Sequence, residues 1–339
     1  MDEATPPTAR GIGVGGVVAS ALRHGDTVGA ASGFARTVLK DFFWLQFSVK
    51  WGVNRIPIVH VDHPLDTSIP FAPERVGTYL DFIAFWIRPL GWIGRRFGAD
   101  AQRRCTVEFL GLIERCYREA AGVYRVRLST TDRPRYLRGR FLAIHLFDPH
   151  YLCVPSLHVM VVVLAWTYYR RALTELGATP DEVAALESEL FSGSVEITEA
   201  VLFIKQHSVN CVPAALYAMS RITPADVTDA EVGAFVDRLF ADAGALGDDE
   251  AAGIRAFVGA TYARLAAEGA SDAAWPTTVL RLLEGLDDGY RDVQVERTTS
   301  TSMPTPKAAT VQNAGRARAL SRKSPKMSTM KAAPAKARK

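Results

Sequence analysis

Two histidines stand in company that can do chemistry. His158 ends the run Cys153-Val154-Pro155-Ser156-Leu157-His158, at the start of the most apolar stretch of the chain. His207 lies within Ile204-Lys205-Gln206-His207-Ser208-Val209-Asn210. A Pro-Ser-x-His turn that opens a helix gathers a hydroxyl, free backbone N–H groups and an imidazole in one place, and helix N-termini bind anions for this reason. Lys205 adds a point charge two residues before His207. Upstream, Thr130-Thr131-Asp132-Arg133-Pro134 offers a guanidinium, whose planar fork matches a phosphate in two bonds. Together these residue types suit a phosphate-like anion held beside two imidazoles.

The elements that must position these groups read as helices. Apolar periodicity and start signals predict helices over about 36–52, 74–96, 100–121, 156–172, 180–191, 194–206 and 209–221. Thr179-Pro180-Asp181-Glu182 puts proline at a first helical position with acids in the first turn. Thr228 and Glu231 have capping-box spacing ahead of Val232, Phe235, Val236, Leu239 and Phe240. Further helices are expected over 249–267 and from Pro276. No alternating pattern of strand length is present, so the fold class is all-α. Residues 1–35, rich in Gly, Ala and Thr, read as flexible.

Charge divides the 339 residues further. Residues 1–223 carry 24 Lys+Arg against 21 Asp+Glu, residues 224–298 carry 6 against 15, and residues 299–339 carry 10 against none. The expected domains are a flexible 1–35, a helical domain over 36–223, an acidic helical module over 224–298 and a disordered basic tail over 299–339. The tail has no aromatic residue and could meet anionic lipid or nucleic acid by charge alone. Cys105, Cys116, Cys153 and Cys211 form neither a disulfide framework nor a zinc spacing. His60 and His63 lack an accompanying carboxylate helix, and Gly11–Gly16 follows no strand, so neither a metal nor a cofactor is expected. The acidic start is not that of a cleavable leader. Tyr151–Tyr169, Val76–Ile93 and Ile197–Met219 approach the length of membrane spans, with Arg170-Arg171 and Arg221 as positive ends. The expectation is an integral protein of the inner or plasma membrane, its histidines extracytoplasmic and its C-terminus cytoplasmic.

The order Arg-Pro, Pro-Ser-x-His, Lys-Gln-His resembles the type 2 phosphatidic acid phosphatase superfamily, in the branch that includes inositol-phosphoceramide-synthase-like proteins. His63-Pro64-Leu65-Asp66 and Ile69-Pro70-Phe71-Ala72-Pro73 are also similar to that branch, and the likeness covers about residues 40–222. It implies a helical bundle in which His207 attacks phosphorus and becomes phosphohistidine. His158 would protonate the leaving alkoxide and then activate water. Ser156, Arg133 and Lys205 would hold the phosphate oxygens of a lipid phosphate. The chain departs from the pattern at three places. Val126 and Val201 stand where basic residues are usual, and Cys211 stands where a carboxylate normally orients the nucleophilic imidazole. Asn210 and Asp148 are the candidate substitutes, and Cys211→Asp is the change expected to raise turnover. Cys153 and Cys211, both bordering the motifs, read as small buried hydrophobes or as a redox pair. Two other readings follow from the same residues: a catalytically impaired protein that binds phosphate or lipid headgroups as a scaffold, and a vanadate-dependent peroxidase.

Overall fold

Capping chemistry sets the helix boundaries around the site. The computed structural model describes residues 8–242, 244 and 246–300, the side chains of 288–300 excepted. The N-terminal segment is helical, as α1 (Val14–Ala21) and α2 (Gly25–Thr37). The expected flexible stretch is thus partly ordered, because Val17 and Ile12 pack under Gly91, where a β-carbon would stand 2.5 Å from Val17. A π-helical turn over Val38–Trp44 leads into α3 (Leu45–Lys50). Then come β1 (Ile58–His60), α4 (Val76–Leu80), α5 (Phe82–Phe97), α6 (Ala99–Tyr124), β2 (Leu128–Thr130) and α7 (Arg140–Phe147). The two strands pair in parallel, and at three residues each they are too short to leave an alternating pattern.

The centre of the bundle is α8 (Leu157–Glu175), which packs along α9 (Pro180–Phe203) and against α5, α6 and α10 (Cys211–Ile222). The side chains of α8 from Val159 to Tyr169 are almost fully buried. Thr179 and Glu182 form the anticipated capping box with Pro180 in the first turn. Two helices were expected where α9 runs unbroken. Gly193 does not stop it but lets α5 approach, since a β-carbon there would lie 2.6 Å from the Phe85 ring.

No helix among the described residues is long and apolar enough to cross a membrane. The spans expected from the sequence fail on local grounds. Residues 151–156 form the turn before α8, and α8 itself takes in Arg170, Arg171 and Glu175. Asp81 precedes α5, which carries Arg88 and Pro89, and Glu199 lies inside α9.

The acidic helices α11 (Asp229–Arg238), α12 (Asp248–Glu268) and α13 (Trp275–Ser300) are not a separate module. The described residues up to Glu296 form one compact unit. Their carboxylates, and Asp226 just before α11, meet bundle arginines, as in Arg170–Glu231 at 2.9 Å, Arg171–Asp226 at 3.0 Å and Arg127–Asp287 at 3.4 Å. His63 stacks on Phe257 of α12 at 4.1 Å between ring centroids. The expected basic tail lies outside the described residues beyond Ser300.

One buried acid ties α11 to the bundle. Glu199 accepts the N–H of Phe240 at 2.6 Å, where the chain turns at φ 56°. Burial pushes its carboxyl up to about 7, against the pull of that N–H. A raised acid contributes stability that is full below its unfolded pKa near 4.5 and lost as pH rises through about 7. Glu199→Gln keeps the acceptor and removes the charge. Thermal melting should show it more stable than the parent at pH 8, by up to about 3 kcal/mol, and equal at about pH 4. Matching melts at both values would mean the buried charge carries no penalty.

Candidate active site

Two turns bring the motif residues together. The first is the approach to α8. Ser129 of β2 holds it, with its carbonyl accepting from Cys153 N at 3.2 Å and its hydroxyl from Val154 N at 2.7 Å. Tyr124 donates its hydroxyl to the carbonyl of Pro155. Ser156 then caps the helix, its Oγ accepting from Val159 N at 3.4 Å. The second turn closes α9. Gln206 and His207 both donate their N–H to the Val201 carbonyl, at 2.9 and 3.3 Å, and Lys205 adopts φ 57° between them and the helix. Asp66 clamps the far side, accepting Val209 N at 2.8 Å, while Asn210 donates to Val61 O at 3.1 Å.

At the meeting point, His207 Nε2 lies 3.2 Å from Ser156 Oγ and 3.4 Å from His158 Nδ1. His207 Nδ1 lies 3.2 Å from the Cys153 carbonyl oxygen. A carbonyl can only accept, so Nδ1 carries the proton and Nε2 presents its lone pair to Ser156 and His158. Tyr79 and Phe82 pack on the His158 ring at 4.9 and 4.7 Å. Burial pushes the His158 imidazole down to about 4 and His207 well below its usual range, with the neighbouring His158 and His150 rings adding to the latter. Both rings are therefore neutral at pH 7. A small enclosed cavity of about 20 Å³ beside them has room for roughly one water centre.

The positive charge comes from a residue that the sequence reading passed over. His150, buried and at φ 68°, lines the same cavity. Its Nε2 lies 3.0 Å from Thr131 Oγ1, its backbone N–H donates to Asp148 Oδ1 at 2.9 Å, and its Nδ1 stands 3.9 Å from Asp148 Oδ2. Burial alone would lower it, but its polar neighbours, Cys153 and Asp148, raise it above the usual imidazole range. Cys153 beside it stays a neutral thiol, because burial pushes that group well up, so Asp148 is the charge that keeps His150 protonated. Asp148 is in turn held down near 2 by His150 and Arg133, against its burial. Asp148-Pro149-His150 directly precedes the Pro-Ser-x-His turn, and that adjacency was the available signal.

Of the expected phosphate ligands, Ser156 touches the dyad. Arg133 reaches the neighbours of the dyad, donating to Gln206 Oε1 and to the Asp148 carbonyl, both at 3.1 Å. Lys205 turns away, giving its ammonium to the carbonyls of Asp66, at 2.6 Å, and Ile69. Cys211 meets the thiol of Cys153 and not the ring of His207, so the Cys153 carbonyl takes the orienting role. That removes the ground for expecting Cys211→Asp to help, since position 211 is fully buried. Asn210 and Asp148 are likewise engaged elsewhere. All four cysteines are free and buried.

His158 and Asp148 also stand at one side of an apolar groove of about 850 Å³. Its walls include Phe34, Phe42, Tyr79, Trp86, Ile113 and Val161, with Arg140 as a cation among them. No family model, curated protein or solved structure matches the chain.

The three rings make a prediction about protonation. In ¹⁵N-labelled protein, His150 should titrate above the usual imidazole range and carry both ring protons at pH 7. His158 should stay singly protonated down to about pH 4, and His207 should titrate well below the usual imidazole range, as the Nδ1–H form. A neutral His150 at pH 7 in the imidazole nitrogen spectrum would refute this arrangement.

Proposed function

We propose that the chain is a metal-independent phosphatase or phosphotransferase acting on a lipid phosphate. The observation that carries this reading is the His207–His158–Ser156 cluster beside a large apolar groove. The groove suits an acyl chain, and its polar end suits a phosphate. Leu80, Ile83 and Phe147 on its rim are exposed, which favours work at a lipid surface.

In this reading the substrate phosphate displaces the 3.4 Å contact between the two imidazoles, since the existing cavity is too small for a phosphoryl group. His207 Nε2 attacks phosphorus and forms the N–P bond. The P–O ester bond breaks, and its electrons leave with the alkoxide oxygen, which takes a proton from His158. Water, or a second alcohol, then attacks the phosphohistidine and gives its proton to His158 as the N–P bond breaks. His150 and Arg133 balance charge on the phosphate oxygens, with Ser156 donating its hydroxyl. His158 is neutral in the free protein, so the productive substrate form is the monoanion, which brings the missing proton.

A second reading, a phosphate or headgroup binder without turnover, is favoured by one feature. His207 is backed by a neutral carbonyl and not by a carboxylate. Release of inorganic phosphate from lysophosphatidate in the presence of EDTA decides between them. Turnover should vanish in His207→Ala and fall by roughly 10²–10⁴-fold in His158→Ala. The kcat/KM should decline as pH rises through about 6, the second ionisation of a phosphate ester. Equal rates in parent and both variants would reject the catalytic reading, and binding of lysophosphatidate without release would select the second.

A further inference from the structure

The parallel register of β1 and β2 sets His60 opposite Thr130. The pairing continues past both strands, with Val61 N donating to Thr130 O at 2.9 Å and Asp132 N to Asp62 Oδ1 at 2.8 Å. His60 and Asp62, two residues apart in extended chain, share a face, and the register delivers Asp132 to it. His60 Nδ1 lies 3.6 Å from Asp62 Oδ2 and 3.7 Å from Asp132 Oδ1, and a ligand atom from each of the three lies within 4.8 Å of the others.

We propose that His60, Asp62 and Asp132 form a binding site for a first-row divalent cation, with manganese or zinc as the fitting ions. Ligand atoms at about 2.1 Å from a common ion stand roughly 3–3.5 Å apart, so small side-chain adjustments complete the site. Asp62 Oδ2 is buried and receives no hydrogen bond, although its partner oxygen takes the Asp132 N–H. A buried carboxylate oxygen facing an imidazole and a second carboxylate wants a cation. Lys205, whose charge acts on Asp62, gives its ammonium to the carbonyls of Asp66 and Ile69. One nitrogen and two carboxylates are a borderline donor set. It suits manganese, iron or zinc, and not the all-oxygen shell of calcium. Asp132 is largely exposed, which leaves an entry path and open coordination positions.

The cation would join the ends of two short strands. Arg133 follows directly from one end, and the Asp66 clamp on the 205–210 turn follows from the other. The site stands apart from the dyad chemistry and is tested without substrate. Full-length protein, stripped with EDTA and desalted, is titrated with manganese chloride by calorimetry. Manganese is the cleaner probe because thiols compete poorly for it. The expected result is a single saturable equivalent that also raises the melting temperature. Asp62→Asn and Asp132→Asn should each weaken binding by about tenfold or more. Asp132→Asn alters an exposed side chain, and an unchanged melt of its metal-free form keeps the comparison valid. No saturable binding by the parent, or parent-like binding by Asp132→Asn, would overturn the proposal.

Discussion

The site depends on burying a backbone turn. Residues 204–210 leave α9, reverse, and enter α10 inside the core, where every N–H and carbonyl needs a partner. Val201 satisfies two N–H groups, Asp66 takes Val209, and the Lys205 ammonium covers two carbonyls of the 66–69 segment. Lys205 and Asp66 thus spend their polar groups on architecture. Without that clamp the His207 ring has no fixed direction, and its 3.2 Å approach to the Cys153 carbonyl has no support. The same segment runs back into β1, so the strands, the clamp and the imidazole form one mechanical chain.

Charge within the site is separated by environment. His158 and His207 sit among aromatic and aliphatic groups and lose their protons to burial. His150 is equally buried but keeps its proton, because Asp148 is beside it. An unpaired buried charge is costly, and a hydrogen-bonded pair offsets much of that cost. The arrangement gives a nucleophile with a free lone pair next to a fixed cation, a combination that a pair of identical imidazoles in water would not provide.

The helical class, the capping boxes at Thr179 and Thr228, and the meeting of His158, His207 and Ser156 were all legible in the residues. Those features are local, or are set by motif order. Lys205 was misjudged because a lysine beside a histidine says nothing of where its long stem turns, and φ 57° sends it toward Asp66. His150 was passed over because its importance comes from Asp148 and Thr131, which matter only once the chain folds. The stretches read as spans are apolar over part of their length, but no described helix keeps that character over the length of a crossing. The acidic helices looked separate because their partners, Arg170, Arg171 and Arg127, lie far away in sequence.

The Cys153 carbonyl sets the character of the chemistry proposed for this site. A carboxylate on Nδ1 would fix the tautomer and also stabilise the cationic ring, through a charge-assisted bond about twice as strong as a neutral one. A carbonyl does the first and little of the second. The positive charge that develops on His207 as it bonds to phosphorus must then be balanced by the phosphate oxygens and, at longer range, by Asp148. Placing a carboxylate at position 211 would not repair this. That position is fully buried against the Cys153 thiol and near the Tyr124 hydroxyl, and an anion there would be desolvated before it could reach the ring. The neutral floor therefore lowers the driving force for attack, and it avoids a second buried carboxylate that would compete with Asp148 for His150.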